Sequence, residues 1–165
     1  MNFKLETWDP ADPRWPALWQ AVEQLDQVDW MQASYDWHRG SQVFVAADAA
    51  GRVGGFLRIV LQDIGLEDDC DPVVFNGETL REAKVLAFGV LPELRGQGIG
   101  RALQLYAIQQ ARALGCYQLR SHSGGESQAN HRLKLALGSA ISPTLRGADT
   151  AGAYFIIPLR LAAEV

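Results

Sequence analysis

The sequence has few of the residues that build disulfide frameworks, metal sites or membrane spans. Its two cysteines, Cys70 and Cys116, lie far apart and isolated, which is typical of reduced thiols in a cytoplasmic protein. The three histidines show no metal-ligand spacing with them, so we expect no metal site. No run approaches the roughly 18 apolar residues that span a bilayer, and the N-terminus lacks a secretory apolar segment. We therefore expect a cytoplasmic protein without a membrane partner.

Positive charge is also scarce. The formal net charge is −4, whereas surfaces that follow nucleic-acid phosphates are usually basic, so we expect no nucleic-acid partner. Hydrophobic residues make up 48% of the chain and charged residues 21%. This composition suits one globular domain with a sizeable core, and we expect that domain to span residues 1–165.

The order of the predicted elements indicates an α+β fold. Asn76 and Gly77 predict a two-residue hairpin turn, while Gly115 and Gly138 are placed to end two helices in the left-handed conformation. Antiparallel strands followed by a β-α-β-α-β order predict a mixed, mainly antiparallel sheet flanked by helices. Three helices are predicted, at 12–25, 101–114 and 127–137, and residues 12–15 open the first of them. The predicted strands are 3–6, 42–47, 52–61, 72–75, 85–90, 117–121 and 154–159.

A glycine-rich loop, Arg95-Gly96-Gln97-Gly98-Ile99-Gly100, separates the strand at 85–90 from the helix beginning at Arg101. Glycines permit positive φ and a close approach of ligand to backbone. The following helix N-terminus offers unpaired N–H groups and a positive dipole end to an anion. Arg95 and Arg101 add charge suited to pyrophosphate. The pattern predicts a diphosphate-binding loop.

Spacing decides which kind of phosphate loop this is. A dinucleotide fingerprint would place its third glycine where Arg101 stands, and a P-loop would follow its last glycine with Lys-Ser/Thr, where Arg101-Ala102 follow here. The loop resembles instead the acyl-CoA-binding motif of the GNAT superfamily of N-acyltransferases. The family pattern Arg/Gln-x-x-Gly-x-Gly/Ala is satisfied by Arg95, Gly98 and Gly100.

This resemblance implies a GNAT-like fold and acetyl-CoA as cosubstrate, with no metal. The strand that carries Phe88, Gly89 and Val90 would splay from the strand beginning near Tyr117, and its backbone would hold pantetheine and the thioester carbonyl. The helix at 127–137 also resembles the family, and its Asn130 would bond the pantetheine or phosphate part of the cofactor. The residues implied in cofactor binding are Phe88, Gly89, Val90, Arg95, Gly96, Gln97, Gly98, Ile99, Gly100, Arg101 and Asn130.

The second helix departs from the family pattern at two positions. Lys134 stands where the family commonly places the tyrosine that protonates the departing thiolate, and Ser139 replaces a final aromatic residue. We expect Lys134 on an exposed helix face, with the ordinary pKa of a lysine. Because the usual acid is missing, an acyl-CoA sensor without turnover is the alternative to an N-acyltransferase.

An acceptor amine must lose a proton before it attacks the thioester. Glu82, at the start of the strand that ends at Val90, is the candidate base, and we expect it to be partly exposed to water. Cys116 has no assigned base and is interpreted as filling space. The alternative proton carriers are Tyr106, Tyr117, His122 and Tyr154.

The acceptor itself is predicted only as a primary amine of a small molecule or a protein amino group. An acidic loop would attract a cationic amine, although a solvated loop explains it better; its acids are Asp63, Glu67, Asp68, Asp69 and Asp71. Aromatic residues after the first helix form either an acceptor wall or core; these are Trp30, Tyr35, Trp37 and His38. A homodimer is left open.

Overall fold

A seven-stranded mixed sheet organises the computed structural model, which describes residues 2–144 and 147–160. Its strand order is β1-β2-β3-β6-β7-β9-β8, and every neighbouring pair is antiparallel except β6 and β7. A separate two-stranded hairpin joins β4 to β5. The strands are β1 Lys4–Trp8, β2 Gly40–Ala47, β3 Val53–Asp63, β4 Val74–Phe75, β5 Glu78–Thr79, β6 Arg81–Val90, β7 Gln118–Ser123, β8 Ala140–Pro143 and β9 Ala153–Pro158.

Helices cover both faces of this sheet. The rings of Phe44 in β2 and Tyr106 in the third helix meet edge-on, with centroids 5.2 Å apart. Leu57 of β3 pairs with Phe44, so the preceding Phe56 faces the opposite side, near Leu25 at the end of the first helix. Among the described residues, no helix has the length and apolar character needed to cross a membrane. The helices are α1 Trp15–Gln24, α2 Val28–Gln32, α3 Ile99–Ala113 and α4 Gln128–Ala136.

The architecture confirms the predicted α+β class with its mainly antiparallel sheet. Asn76 and Gly77 both have positive φ in the β4–β5 turn, and Gly115 and Gly138 end α3 and α4 at φ +76° and +86°. Helix α3 begins at Ile99, two residues before its predicted start, because Gly98 in the left-handed conformation already serves as its N-cap. Helix α2 and strand β8 were not predicted; α2 has five residues, and β8 is exposed throughout, so neither shows a clear apolar period.

The parallel pair β6–β7 is short. It runs from Glu82 opposite Gln118 to Val85 opposite Ser121, although β6 continues to Val90 on its other side against β3. Leu86 is an extra residue in the β3–β6 ladder, because Val85 pairs with Ile59 and Ala87 with Arg58. Such a bulge bends its strand and redirects the side chains that follow. The second half of β6, from Leu86 to Val90, thus separates from β7 and leaves an opening in the sheet, which agrees with the predicted splay.

Gly55 in β3 permits the close approach of β6 beside this opening. A Cβ there would lie 2.8 Å from the carbonyl oxygen of Gly89, which as backbone cannot swing away, whereas a Cβ at Gly40 would make an ordinary 3.6 Å contact with Leu61. We expect Gly55→Ala to lower the free energy of unfolding by about 1–3 kcal/mol, as overpacking does. Gly40→Ala, the control, should stay within about 0.5 kcal/mol of the parent. Urea denaturation of both variants measures the difference, and equal stabilities would contradict the contact.

Candidate functional site

A groove of about 690 Å³ opens where β6 ends and α3 begins. It brings together every predicted cofactor-binding residue except Gln97, whose side-chain amide lies 3.5 Å from the carbonyl oxygen of Glu93. We call it the glycine-loop groove. Its lining residues are Phe88, Gly89, Val90, Leu94, Arg95, Gly96, Gly98, Ile99, Gly100, Arg101, Glu126, Ser127, Gln128, Ala129, Asn130 and Leu133.

The floor of the groove is backbone. Gly96 and Gly98 have φ of +75° and +85°, and no atom lies within 4 Å of a Cβ built at Gly98, so that face of the loop is open. The first-turn N–H groups of α3, which have no partner within a helix, begin at this point. Together with Arg95 and Arg101 they form a concave, positively polarised surface suited to a phosphate-bearing ligand.

A second cavity, the inner pocket, lies where β6 and β7 separate and has a volume of about 370 Å³. Phe88, Ser127 and Asn130 line both this pocket and the glycine-loop groove. A ligand in the groove could therefore reach the inner pocket through the gap between the strands. The inner pocket is lined by Gln27, Trp30, Lys84, Val85, Leu86, Phe88, His122, Ser123, Gly124, Ser127, Asn130 and Lys134.

Asn130 of α4 stands at the junction of the two cavities. Its amide nitrogen donates a hydrogen bond to Ser123 Oγ at 3.1 Å, which orients the side chain. Its Oδ1 is buried and accepts no hydrogen bond from the described residues. Since a buried polar atom without a partner is costly, this oxygen is suited to an N–H group of a ligand, as an amide of pantetheine would supply.

Comparison with protein families identifies the fold. A model described as the acetyltransferase (GNAT) family matches residues 6–138, which is most of the chain. The chain belongs to the GNAT family. Comparison with curated protein sequences finds no match.

Solved structures of other proteins have a similar shape. Arabidopsis thaliana NAA60, solved in complex with acetyl-CoA, has a TM-score of 0.68 and 13% identity, over 96% of this chain and 99% of that one. The ribosomal-protein-S18-alanine N-acetyltransferase of Escherichia coli has a TM-score of 0.64 and 18% identity, over 98% of this chain and 96% of that one. At these identities the likeness establishes a shared GNAT fold.

Lys134 is not on an exposed helix face as we expected. Only 3% of it is exposed, because α4 turns this residue toward β7 and β9. Its Nζ donates to the carbonyl oxygen of His122 at 3.2 Å and lies 5.3 Å from the ring centre of Phe155. Burial lowers the pKa of the ammonium from its ordinary value of 10.5 to about 8. The expectation of an ordinary pKa was therefore wrong as well.

Glu82 is also buried, with no exposed surface, rather than partly exposed at a strand end. One carboxylate oxygen accepts hydrogen bonds from Gln62 at 2.8 Å and Arg120 at 2.7 Å, and the other accepts one from Gln118 at 2.7 Å. Glu82 lines neither the glycine-loop groove nor the inner pocket. These contacts fasten β3, β6 and β7 together beneath the opening. Whether Glu82 also accepts a proton during turnover stays a prediction.

The acidic loop is only partly solvated. Glu67 folds under the loop, where it pairs with Lys84 and, at 2.7 Å, with Nη2 of Arg120. Asp63 pairs with Arg39 at 2.9 Å. The loop therefore neutralises cations of the sheet, and its carboxylates are absent from the lining of the inner pocket.

The alternative proton carriers separate into two groups. His122 lines the inner pocket, whereas Tyr106 packs on Phe44 and Tyr154 covers the Arg120 guanidinium at 4.6 Å. Cys116 is buried, and burial raises its thiol pKa to about 11, which supports its interpretation as a packing residue. Among the described residues, no three His, Cys, Asp or Glu side chains come together as metal ligands.

Only part of the pocket wall was foreseen from the sequence. Trp30 reaches the inner pocket, while Tyr35 and Trp37 stack on each other at 4.8 Å, outside its lining. Lys84 and Ser127 were not among the predicted site residues. The signal for Lys84 was its position two residues after Glu82, since alternate polar residues in an apolar strand indicate a shared polar face.

Because Glu82 links β6 to β3 and β7 through buried hydrogen bonds, we expect a large loss of stability in Glu82→Gln. The amide keeps the shape but removes the fully buried one of the two carboxylates that lie 2.7 Å from Arg120, so we expect a loss of about 3 kcal/mol in the free energy of unfolding. Glu78→Gln, the control, breaks the exposed Glu78–Arg160 pair and should cost far less. Guanidinium denaturation at pH 7 compares the two variants, and equal losses of stability would contradict the role of Glu82 in holding the strands together.

The buried ammonium of Lys134 predicts a pH-dependent penalty on folding. Because the folded pKa lies below the unfolded one, folding of the parent expels a proton between pH 8 and 10.5, and its stability should rise with pH there. The gap between these values corresponds to about 3 kcal/mol. Lys134→Met should therefore exceed the parent in stability most below pH 8, and this excess should shrink by about that amount toward pH 10.5.

Arg132→Met provides the control, since Arg132 is an exposed cation on the same helix. Its difference from the parent should not change across the same pH range. A constant difference for Lys134→Met as well, in thermal or urea unfolding, would show that the ammonium is solvated.

Proposed function

We propose that this GNAT protein transfers an acetyl group from acetyl-CoA to a primary amine of a small molecule or a protein. The observation that carries the proposal is the junction of two cavities at Phe88, Ser127 and Asn130, where β6 and β7 separate. One cavity has the backbone and charge that suit a diphosphate. The other offers a separate route for an acceptor to the same point.

The glycine-loop groove would hold the CoA moiety. Gly96, Gly98 and the first turn of α3 line this groove, so their backbone N–H groups would bind the pyrophosphate, and Arg95 and Arg101 would add charge to it. Asn130 Oδ1 provides an acceptor for a pantetheine amide. The side of Gly98 where a Cβ would stand is open, which leaves room for the ligand beside the loop.

The reaction requires little from side chains. The neutral amine attacks the thioester carbonyl, the N–C bond forms and the C–S bond breaks. The amine loses a proton to a base or to water, and the CoA thiolate regains one. Glu82 stays the predicted base, acting through a relay, because its carboxylate lies outside the inner pocket. The cytoplasmic location and the homodimer also stay predictions.

Substitution of Gly98 tests the cofactor site. A side chain at this position would enter the groove, so we expect Gly98→Leu to weaken CoA binding at least tenfold, about 1.4 kcal/mol, in calorimetry. Gly138→Leu is the matched control, because Gly138 has nearly the same positive φ but lines neither cavity. Both variants carry similar backbone strain, so unequal CoA affinities isolate the groove.

Release of CoA thiol from acetyl-CoA, measured with a panel of amines, amino acids and peptides, tests the transfer itself. The proposal expects acceptor-dependent release that falls in Gly98→Leu and persists in Gly138→Leu. Tight CoA binding without release for any acceptor would indicate the sensor alternative instead. Equal CoA affinity for both leucine variants would contradict the assignment of the glycine-loop groove as the CoA site.

A further inference from the structure

Lys134 carries a buried positive charge without a carboxylate partner among the described residues. Its contacts are the carbonyl oxygen of His122 and the ring of Phe155, and it lines the inner pocket. A buried ammonium is costly unless an anion compensates it. The described residues contribute none here, so a ligand in the inner pocket is the available source.

Three acids near this region are already engaged. Glu67 and Glu82 are held by Lys84 and Arg120. The carboxylate of Asp149 accepts backbone hydrogen bonds from Gly125 at 3.1 Å and Ala151 at 3.0 Å. Within residues 2–144 and 147–160, no Asp or Glu lines the inner pocket. A polycationic acceptor would therefore find no counter-charge in its walls.

A second buried cation lies behind the pocket wall. Arg58 is 7% exposed and donates to Ser41 Oγ at 3.0 Å and to the carbonyl oxygen of Trp30 at 2.6 Å, with no carboxylate partner among the described residues. The positive potential reaches His38, whose pKa is lowered by burial first and then by the charges of Arg58 and Lys84. The acceptor side of the sheet is thus electropositive.

The position of Lys134 limits where an anionic group can be. Lys134 follows Asn130 by four residues, roughly 6 Å along the helix axis, and Asn130 marks the junction with the glycine-loop groove. An acceptor whose nitrogen reaches that junction would place a group only a few bonds away beside Lys134. The other lining residues include the apolar Val85, Leu86 and Phe88 beside polar residues such as Gln27 and Ser123.

We infer that the acceptor is a free amino acid, whose carboxylate pairs with Lys134 in the inner pocket. This inference rests on the proposed acetyl transfer and specifies its substrate class. The amino group of such a molecule lies next to its carboxylate, as the spacing of Asn130 and Lys134 requires. A peptide N-terminus lacks that adjacent carboxylate, and a polyamine carries the wrong charge.

Matched pairs of acceptors test the inference by CoA release. L-leucine and L-phenylalanine are compared with 3-methylbutylamine and 2-phenylethylamine, which lack the carboxylate, and with leucine amide, spermidine and 6-aminohexanoate. Because a charge-assisted hydrogen bond to a buried group is lost, kcat/KM should fall roughly tenfold to hundredfold without the adjacent carboxylate. Preference for spermidine, leucine amide or the plain amines would overturn the inference.

Lys134→Met then assigns the preference to one residue. The ratio of kcat/KM for L-leucine to that for 3-methylbutylamine should collapse toward one in this variant and stay at the parent value in Arg132→Met. Circular dichroism verifies that both variants fold. An unchanged ratio in Lys134→Met, or an equal fall in both rates, would overturn the inference; the equal fall would mean that the ammonium acts on the thiolate.

Binding measured without turnover separates this inference from the proposed function. Calorimetry titrates the CoA-saturated protein with N-acetyl-L-leucine and with N-(3-methylbutyl)acetamide. Tighter binding of the carboxylate, lost in Lys134→Met, would support the anion site even if no acceptor is acetylated. Turnover of amines without any preference for a carboxylate would overturn the carboxylate site at Lys134 but would leave the proposed acetyl transfer intact. Failure of N-acetyl-L-leucine to bind would also overturn the carboxylate site.

Discussion

The short parallel pairing between β6 and β7 is the constraint on which the rest of the structure depends. Only four residue pairs join the two strands, and the bulge at Leu86 follows directly after the last of them. Before that point in β6, Glu82 and Arg120 hold the strands together in the low-dielectric interior. After it the strands separate, and both cavities occupy the space that results. A longer ladder would have closed the site.

The two cavities are built from different kinds of groups. The glycine-loop groove presents backbone, because left-handed glycines and a helix N-terminus supply N–H groups that an anion can approach closely. The inner pocket presents side chains, and two of these are buried without a full set of partners among the described residues. Asn130 Oδ1 has no hydrogen-bond donor, and Lys134 has no counter-ion. Such costs are typical of functional sites, where a ligand completes the interaction.

Charge is arranged across this site in a way that composition would not suggest. The chain is acidic overall, with a net charge of −4, and one of its loops is rich in carboxylates. Yet Glu67 of that loop turns inward and pairs with Lys84 and Arg120, so the loop acts as an internal counter-ion. Among the described pocket-lining residues, Lys134 is a buried cation without a carboxylate partner, so the inner pocket carries an uncompensated positive charge within an acidic protein.

The sequence by itself determined the features that depend on local backbone chemistry. The glycine loop, the N-terminal end of α3, the Asn76-Gly77 hairpin and the helix-ending glycines follow from φ preferences and from apolar periods over neighbouring residues. Only the tertiary structure decided which polar side chains are buried. In α4, Leu135 is 48% exposed while its neighbour Lys134 is 3% exposed, the reverse of what hydrophobicity alone would indicate. The reason is that a short helix with leucines on several faces is oriented by the strands it packs against, and those contacts join residues distant in sequence.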